Sequence, residues 1–221
     1  MSLSELWSLY GQNYIDALLA TWGMTLESFA IAMVLAVAVT VMRVSPLKPL
    51  RVFGDLYVQV FRNIPGIALL IISYIVLYKT RFGLRLSYRT CVIVATVLLG
   101  SAFGSENFMS GINTVGVGQV EAARSLGMSF NRILAKIVIP QALRSSVLPM
   151  TNLFIAVMLT TALGSQVPLK PQELTGVVSY INTRSLGGVA AFFISALGYL
   201  GAAFVVSHIG NYIDKKVRIL R

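Results

Sequence analysis

The stretch EAARSLGMSFNRILAKIVIPQALR, Glu121 to Arg144, interrupts a very apolar chain with a mixed-charge, helix-forming segment set between two long hydrophobic runs. Its residues describe a helix, a sharp turn and a second helix. From Gln119 to Leu126 helix formers dominate, and Ala122 and Ala123 leave little bulk on one face. Gly127 then supplies a residue that tolerates a left-handed turn. Beyond it Phe130, Ile133, Leu134, Ile137 and Val138 recur at the spacing of an apolar helical stripe, which Pro140 is expected to end or kink. A compact knob of this kind fits a groove on another protein.

The surrounding composition says where the knob sits. The 221 residues are 56% hydrophobic and only 12% charged, with a mean hydropathy of +0.78, whereas soluble domains carry about 25% charged residues. The chain is read as an integral membrane protein. Its opening, MSLSELWSLYGQNYIDALLA, lacks the basic start and small-residue cleavage site of a secretory leader, so the first apolar run is expected to remain as an anchor. Cys91 is the single cysteine, which excludes an intrachain disulfide and a multi-cysteine metal cluster. The net charge of +10 is spread along the connections between apolar runs, without interleaved aromatics. That distribution speaks for membrane orientation and against nucleic acid as a partner.

Five runs reach the roughly 20 residues a span requires: Leu18 to Met42, Phe53 to Tyr78, Thr90 to Gly111, Ser146 to Val167 and Gly187 to Ile213. With the N-terminus outside, 12 basic residues fall on the inner side (Arg43, Lys48, Arg51, Arg62, Arg124, Arg132, Lys136, Arg144, Lys215, Lys216, Arg218, Arg221). The other 6 (Lys79, Arg81, Arg85, Arg89, Lys170, Arg184) fall outside, completing the 18 of the chain. The positive-inside bias therefore predicts an outer N-terminus, a cytoplasmic C-terminus and a cytoplasmic loop at about residues 112–144. The outer stretch KTRFGLRLSYR runs against that bias. In residues 1–16, Leu3, Leu6, Trp7, Tyr10 and Tyr14 fall at helical spacing and predict a short interfacial helix on the outer face, a frayed terminus being the plainer alternative. Pro65 and Pro149, in the second and fourth runs, are expected to kink or break their helices.

Glu121-Ala122-Ala123, three residues, Gly127, nine residues, Ile137, one residue and Ile139-Pro140 together resemble the EAA signature of the membrane subunits of bacterial ATP-binding-cassette importers, with Ile139 where leucine is usual. The likeness extends over nearly the whole chain and is nearest to permeases of the polar amino acid uptake branch, through MRVSPLKPLR, FRNIPG, GINTVGVGQVEAARSLGMS and IPQALRSSVLPMTNLFIA in that order. The resemblance implies one all-α permease domain over 1–221, of MetI-like ABC importer fold, with five transmembrane helices and cytoplasmic coupling helices, in a bacterial cytoplasmic membrane. It also implies partners: a separate ATPase that carries the ATP and magnesium and receives the loop around Glu121, Ala122, Ala123 and Gly127, a second permease subunit, identical or paralogous, and an extracytoplasmic binding protein. Glu121 either joins that docking surface or caps its own helix.

For a solute path the expensive residues are the telling ones, because an ionisable group inside a span faces the bundle interior or a cavity. Glu106 with neighbouring Asn107 lines the path or pairs structurally, for instance with Arg62, while Glu27 falls near the outer interface. Asn152, Thr160 and Thr161 in the fourth run offer uncharged groups for a zwitterion, or else join helices. The sequence departs from the family pattern here: MLTTAL replaces LKxTSL, putting Leu159 and Ala162 at the lysine and serine positions, and ENFMSGI puts Met109 at an arginine position. Either a distinct specificity or a non-identical partner permease accommodates both losses. The lone His208 is read as structural, the glycines of GVGQVEAARSLG lack the lysine of a phosphate-binding loop, and no catalytic cluster or resident cofactor is expected. The rival functions are a secondary transporter or channel and a membrane-embedded enzyme.

Overall fold

A computed structural model of the chain describes residues 3–79, 85–184 and 188–217. The expected start of the fifth span at Gly187, and Arg81, Arg218 and Arg221 of the charge count, lie outside these residues. Every regular element described is helical: α1 (Leu3–Val44), α2 (Lys48–Asn63), α3 (Gly66–Tyr74), α4 (Tyr88–Asn113), α5 (Val117–Ser125), α6 (Phe130–Ile133), α7 (Ile139–Ser145), α8 (Val147–Thr160), α9 (Leu174–Asn182) and α10 (Gly188–Val217). A π turn extends α3 over Ile75–Lys79, a second joins α6 to α7 over Leu134–Val138, and a 3₁₀ turn extends α8 over Thr161–Gln166.

Four helical segments are long and apolar enough to cross a membrane, and a bent pair makes five if it counts as one span. The pair corrects the second expected span. Phe53 to Tyr78 is not one helix: α2 stops at Asn63, and the chain bends by 102° before α3. Pro65 is the cause, since it lacks a backbone N–H and forces the preceding residue out of helical geometry. Ile64 accordingly sits at φ −82°, ψ 129°. Pro149 does not repeat the effect. It lies in the first turn of α8, where the missing N–H would have no helical partner in any case. Pro140 likewise does not end its helix, because it stands at the start of α7 directly after a π turn whose wider hydrogen-bond register passes over the missing donor.

The N-terminal expectation needs a second correction. Residues 3–16 are helical, but no break separates them from the first span: α1 runs unbroken for 42 residues, about 63 Å at 1.5 Å per residue. Leu6, Tyr14 and Ala17 are buried against Leu174, Val177 and Ile181 of α9 and Ala191 of α10. The Tyr14 hydroxyl donates to the Ala191 carbonyl at 3.1 Å. Protein contacts thus take up the inner face of these turns, while Trp7 stays half exposed and stacks on Tyr14.

The α1–α4 pair is the spine of the bundle. Its close approach rests on small residues: a Cβ at Gly100 would meet the Ala32 Cβ at 3.2 Å, and one at Gly104 the Ala36 Cβ at 2.9 Å. Alternating small residues four apart let helix backbones touch, which in lipid supplies dispersion where the hydrophobic effect cannot. Ion pairs clasp both ends of the contact. Arg89 at the start of α4 reaches Glu27 at 2.7 Å, and Arg43 near the end of α1 reaches Glu106 at 3.1 Å. Between Glu27 and Arg43 the helix rises about 24 Å, most of a hydrocarbon core of about 30 Å.

Candidate functional site

Two polar nodes and one exposed knob carry the chemistry. The inner node starts from Gly54, where a Cβ would lie 2.8 Å from Arg43 Cγ, so glycine alone lets α2 close on the end of α1. That approach places Asp55 at 2.9 Å from Arg43 Nε. The same guanidinium donates to Ser105 Oγ at 3.3 Å and to Glu106 Oε2 at 3.1 Å. Arg62, from the last turn of α2, adds a longer contact to Glu106 at 3.5 Å and lies 5.3 Å from the Phe103 ring centroid. Glu106 therefore has Arg62 as a partner, as its structural alternative required, and the better-placed Arg43 as well. Its side chain still retains 41% of its accessible surface, against 12% for Arg43, so the carboxylate remains open to a solute while the guanidinium is held.

Asn107 faces elsewhere. Its amide donates to the Pro149 carbonyl at 3.0 Å, and Ser146 Oγ donates to the Asn107 carbonyl at 3.4 Å, so it joins α4 to the start of α8. Asn152 is exposed on α8. Thr160 donates back to the Ala156 carbonyl at 2.8 Å and buried Thr161 to that of Met158 at 2.6 Å. Thr160 lies eleven residues beyond Pro149, about 16 Å along α8. The five candidate path residues consequently form no single cluster: Glu106 and Asn107 stand at one end of α8, Thr160 and Thr161 at the other.

What sequence reasoning missed is the outer node to which Thr161 belongs. Glu173 is fully buried and caps α9, accepting from Thr175 N at 2.6 Å and Gly176 N at 2.7 Å. Tyr199 of α10 donates to it at 3.0 Å and also meets Thr161. The neighbouring Leu174 N–H donates to Thr21 Oγ1 of α1 at 3.2 Å. One carboxylate thus holds α9 and α10 together beside the 3₁₀ turn. Burial pushes its pKa up, and the amide and hydroxyl donors oppose that rise. The sequence did contain a signal, a lone acid in PQELTG immediately before an apolar helical run, in the position of an N-cap.

The knob forms as its glycine predicts. Gly127 takes φ +75°, and the end of α5 closes as a Schellman turn, with Gly127 N to Arg124 O at 2.9 Å and Met128 N to Ala123 O at 3.1 Å. The two alanines differ in role. Ala123 is buried on the knob's own small core with Val115, Ile133 and Val138, whereas Ala122 faces out with Glu121, Arg124, Ser125 and Leu126. Gly116 is the N-cap of α5, so Glu121 in the second turn does not cap its own helix.

This arrangement matches known proteins along its length. The family model described as the inner membrane component of binding-protein-dependent transport systems matches residues 28–219. The chain belongs to this family. It is the membrane permease component of such an importer, which sets aside a secondary transporter or channel. Among relatives, the glutamate transport system permease protein GluC of Corynebacterium efficiens is 33% identical over 90% of this chain and 91% of its own. The probable glutamine ABC transporter permease protein GlnM of Bacillus subtilis is 32% identical over 97% and 96%. The fold of the permease superposes on a solved amino acid ABC transporter chain with TM-score 0.90 at 24% identity, covering 98% of this chain and 99% of that one. A chain of the MetNI methionine ABC transporter gives 0.72 at 20% identity, covering 99% and 100%.

Proposed function

We propose that this permease moves a polar amino acid or similar small zwitterion into the cell, delivered by an extracytoplasmic binding protein and driven by a separate ATPase that holds the ATP and magnesium. A second permease copy or paralogue completes the path. The chain itself is non-catalytic. The observation that carries the coupling reading is the knob: a Schellman-closed turn presents Glu121, Ala122, Arg124, Ser125 and a Leu126 that is 83% exposed, on a segment anchored to α4 by buried Val115 and Ile133. Leu126 set among Glu121, Arg124 and Ser125 offers a partner groove an apolar anchor within a polar rim, the anatomy of a protein–protein contact. The glutamate and glutamine relatives support the substrate class, and the 12 to 6 division of basic residues supports an outer N-terminus and a cytoplasmic C-terminus. Glu106, half exposed beside two guanidiniums, is the residue assigned to the path.

The test is Gly127→Val. A Cβ there meets nothing within 4 Å, so the substitution acts through the left-handed backbone alone, at about 1–2 kcal/mol or more for a β-branched residue. The expected result in reconstituted vesicles is assembled complex whose ATP hydrolysis continues while transport falls by about tenfold or more. Unchanged coupling would overturn the docking role of the knob.

A further inference from the structure

We propose that two apolar clefts meeting at Phe108 and Leu143, the larger against the C-terminal part of α10 and the smaller between α1 and α7, hold the acyl chains of one anionic diacyl phospholipid, whose phosphate is met by Arg144, Lys215 and Lys216. The larger cleft, about 390 Å³, lies between α8 and α10, walled by Met150, Phe154, Val206, Ile209 and Ile213. The smaller, about 120 Å³, lies between α1 and α7, walled by Val37, Val41, Ile112 and Ile139. Phe108 and Leu143 line both, so the clefts meet at a common ridge.

The hydroxyls in these walls are already spent on their own helices. Thr151 Oγ1 donates to the Val147 carbonyl at 2.9 Å, Thr40 Oγ1 to that of Ala36 at 2.7 Å and Ser146 Oγ to that of Ala142 at 2.7 Å. A polar solute would find few partners there, whereas methylene chains fill apolar space that would otherwise forfeit dispersion contacts. A helix of a neighbouring subunit is about 10–12 Å across with its side chains, too wide for a cleft of about 120 Å³. Two narrow clefts parting at one ridge match two chains leaving one headgroup.

The headgroup end is basic. Arg144 follows the ridge residue Leu143, and Lys216 lies one turn beyond Ile213; both are exposed, as is Lys215. The Lys216 ammonium rests 4.6 Å from the Tyr212 ring centroid. Within residues 139–147 and 209–217 the one acid is Asp214, which is buried. Basic side chains at the lipid surface attract anionic headgroups. On the orientation proposed above the site faces the cytoplasmic leaflet, and lipid binding itself requires only the membrane setting.

The experiment is native mass spectrometry of the full chain in its purified complex, with dioleoyl phosphatidylglycerol or dioleoyl phosphatidylcholine added at equal concentration. Phosphatidylglycerol should be retained at one molecule per copy of this chain, in excess over phosphatidylcholine. Combining Arg144→Gln, Lys215→Gln and Lys216→Gln should cut that preference by on the order of tenfold or more, since each basic residue near the surface contributes a factor of about five. Leu143→Trp, which crowds both clefts, should lose both lipids. Equal retention of the two lipids by the wild type, undiminished preference in the triple variant, or clefts found closed by a second copy of the chain would each overturn the proposal.

Discussion

Glu106 and Glu173 are both carboxylates in a helical bundle, yet they are held by opposite means. Glu106 meets two guanidiniums and stays 41% exposed, while Glu173 is fully buried and meets two backbone amides and a tyrosine hydroxyl. Charge balances charge at the first; dipoles of fixed geometry balance it at the second. Side-chain ion pairs can re-form with another partner when helices shift, but an N-cap is fixed by the backbone that creates it. The inner node is accordingly suited to a moving path, and the outer one to a hinge-free joint between α1, α9 and α10.

The comparison breaks most visibly at Glu173. Glu173→Ala leaves two amides and the Tyr199 hydroxyl buried without their acceptor, at about 1–3 kcal/mol for each group. Even with partial relaxation, the expected outcome is a fall of several degrees or more in the melting temperature of the purified complex and poor yield. A variant of wild-type stability would mean that water or another donor set replaces the carboxylate freely.

The inner node should respond less, and unequally. Arg43→Gln removes two ion pairs from a guanidinium that is 12% exposed, whereas Glu106→Gln leaves a half-exposed neutral amide able to accept from either arginine. Pairs this open to water are discounted strongly from buried ones, so Arg43→Gln is expected to cost about 1–2 kcal/mol and Glu106→Gln under about 1 kcal/mol. The variants also separate in function. With Glu106 on the path, Glu106→Gln changes preference in competition among a panel of amino acids while complex yield and basal ATP hydrolysis persist. Unchanged preference with reduced yield would make Glu106 purely structural.

The same contrast explains what the sequence disclosed. Its apolar runs gave the helical class, because a span must satisfy every backbone group internally, and the left-handed Gly127 followed from a glycine between two helical patterns. Pro65 was legible as a breaker, but the size of its bend was not, because that depends on Gly54 letting α2 close on Arg43. The long α1 was misdivided because its opening aromatics pack on α9 and α10, contacts 160 or more residues away in sequence. Glu106 stood out as a charge within an apolar run; Glu173 did not, since its burial comes from Tyr199 of α10 and Gly164 of the 3₁₀ turn closing on it, while Thr21 of α1 holds its neighbour Leu174.

The finest difference between the two nodes is in pH response. Burial raises the pKa of Glu173 above the ordinary carboxylate value, so the folded protein binds this proton more readily than the unfolded chain does. By linkage the contribution is fully present below the unfolded carboxylate pKa, about 4.3, and is lost as pH rises through the raised folded value. Glu173→Gln cannot titrate, and its loss of one acceptor appears as a constant offset. The stability difference, wild type minus Glu173→Gln, should therefore decline from about pH 4 upward and then level off, a shape read from melting temperatures of both proteins at matched pH steps. Parallel curves would show that the carboxylate titrates alike in both states, and that the amides and Tyr199 fully offset its burial.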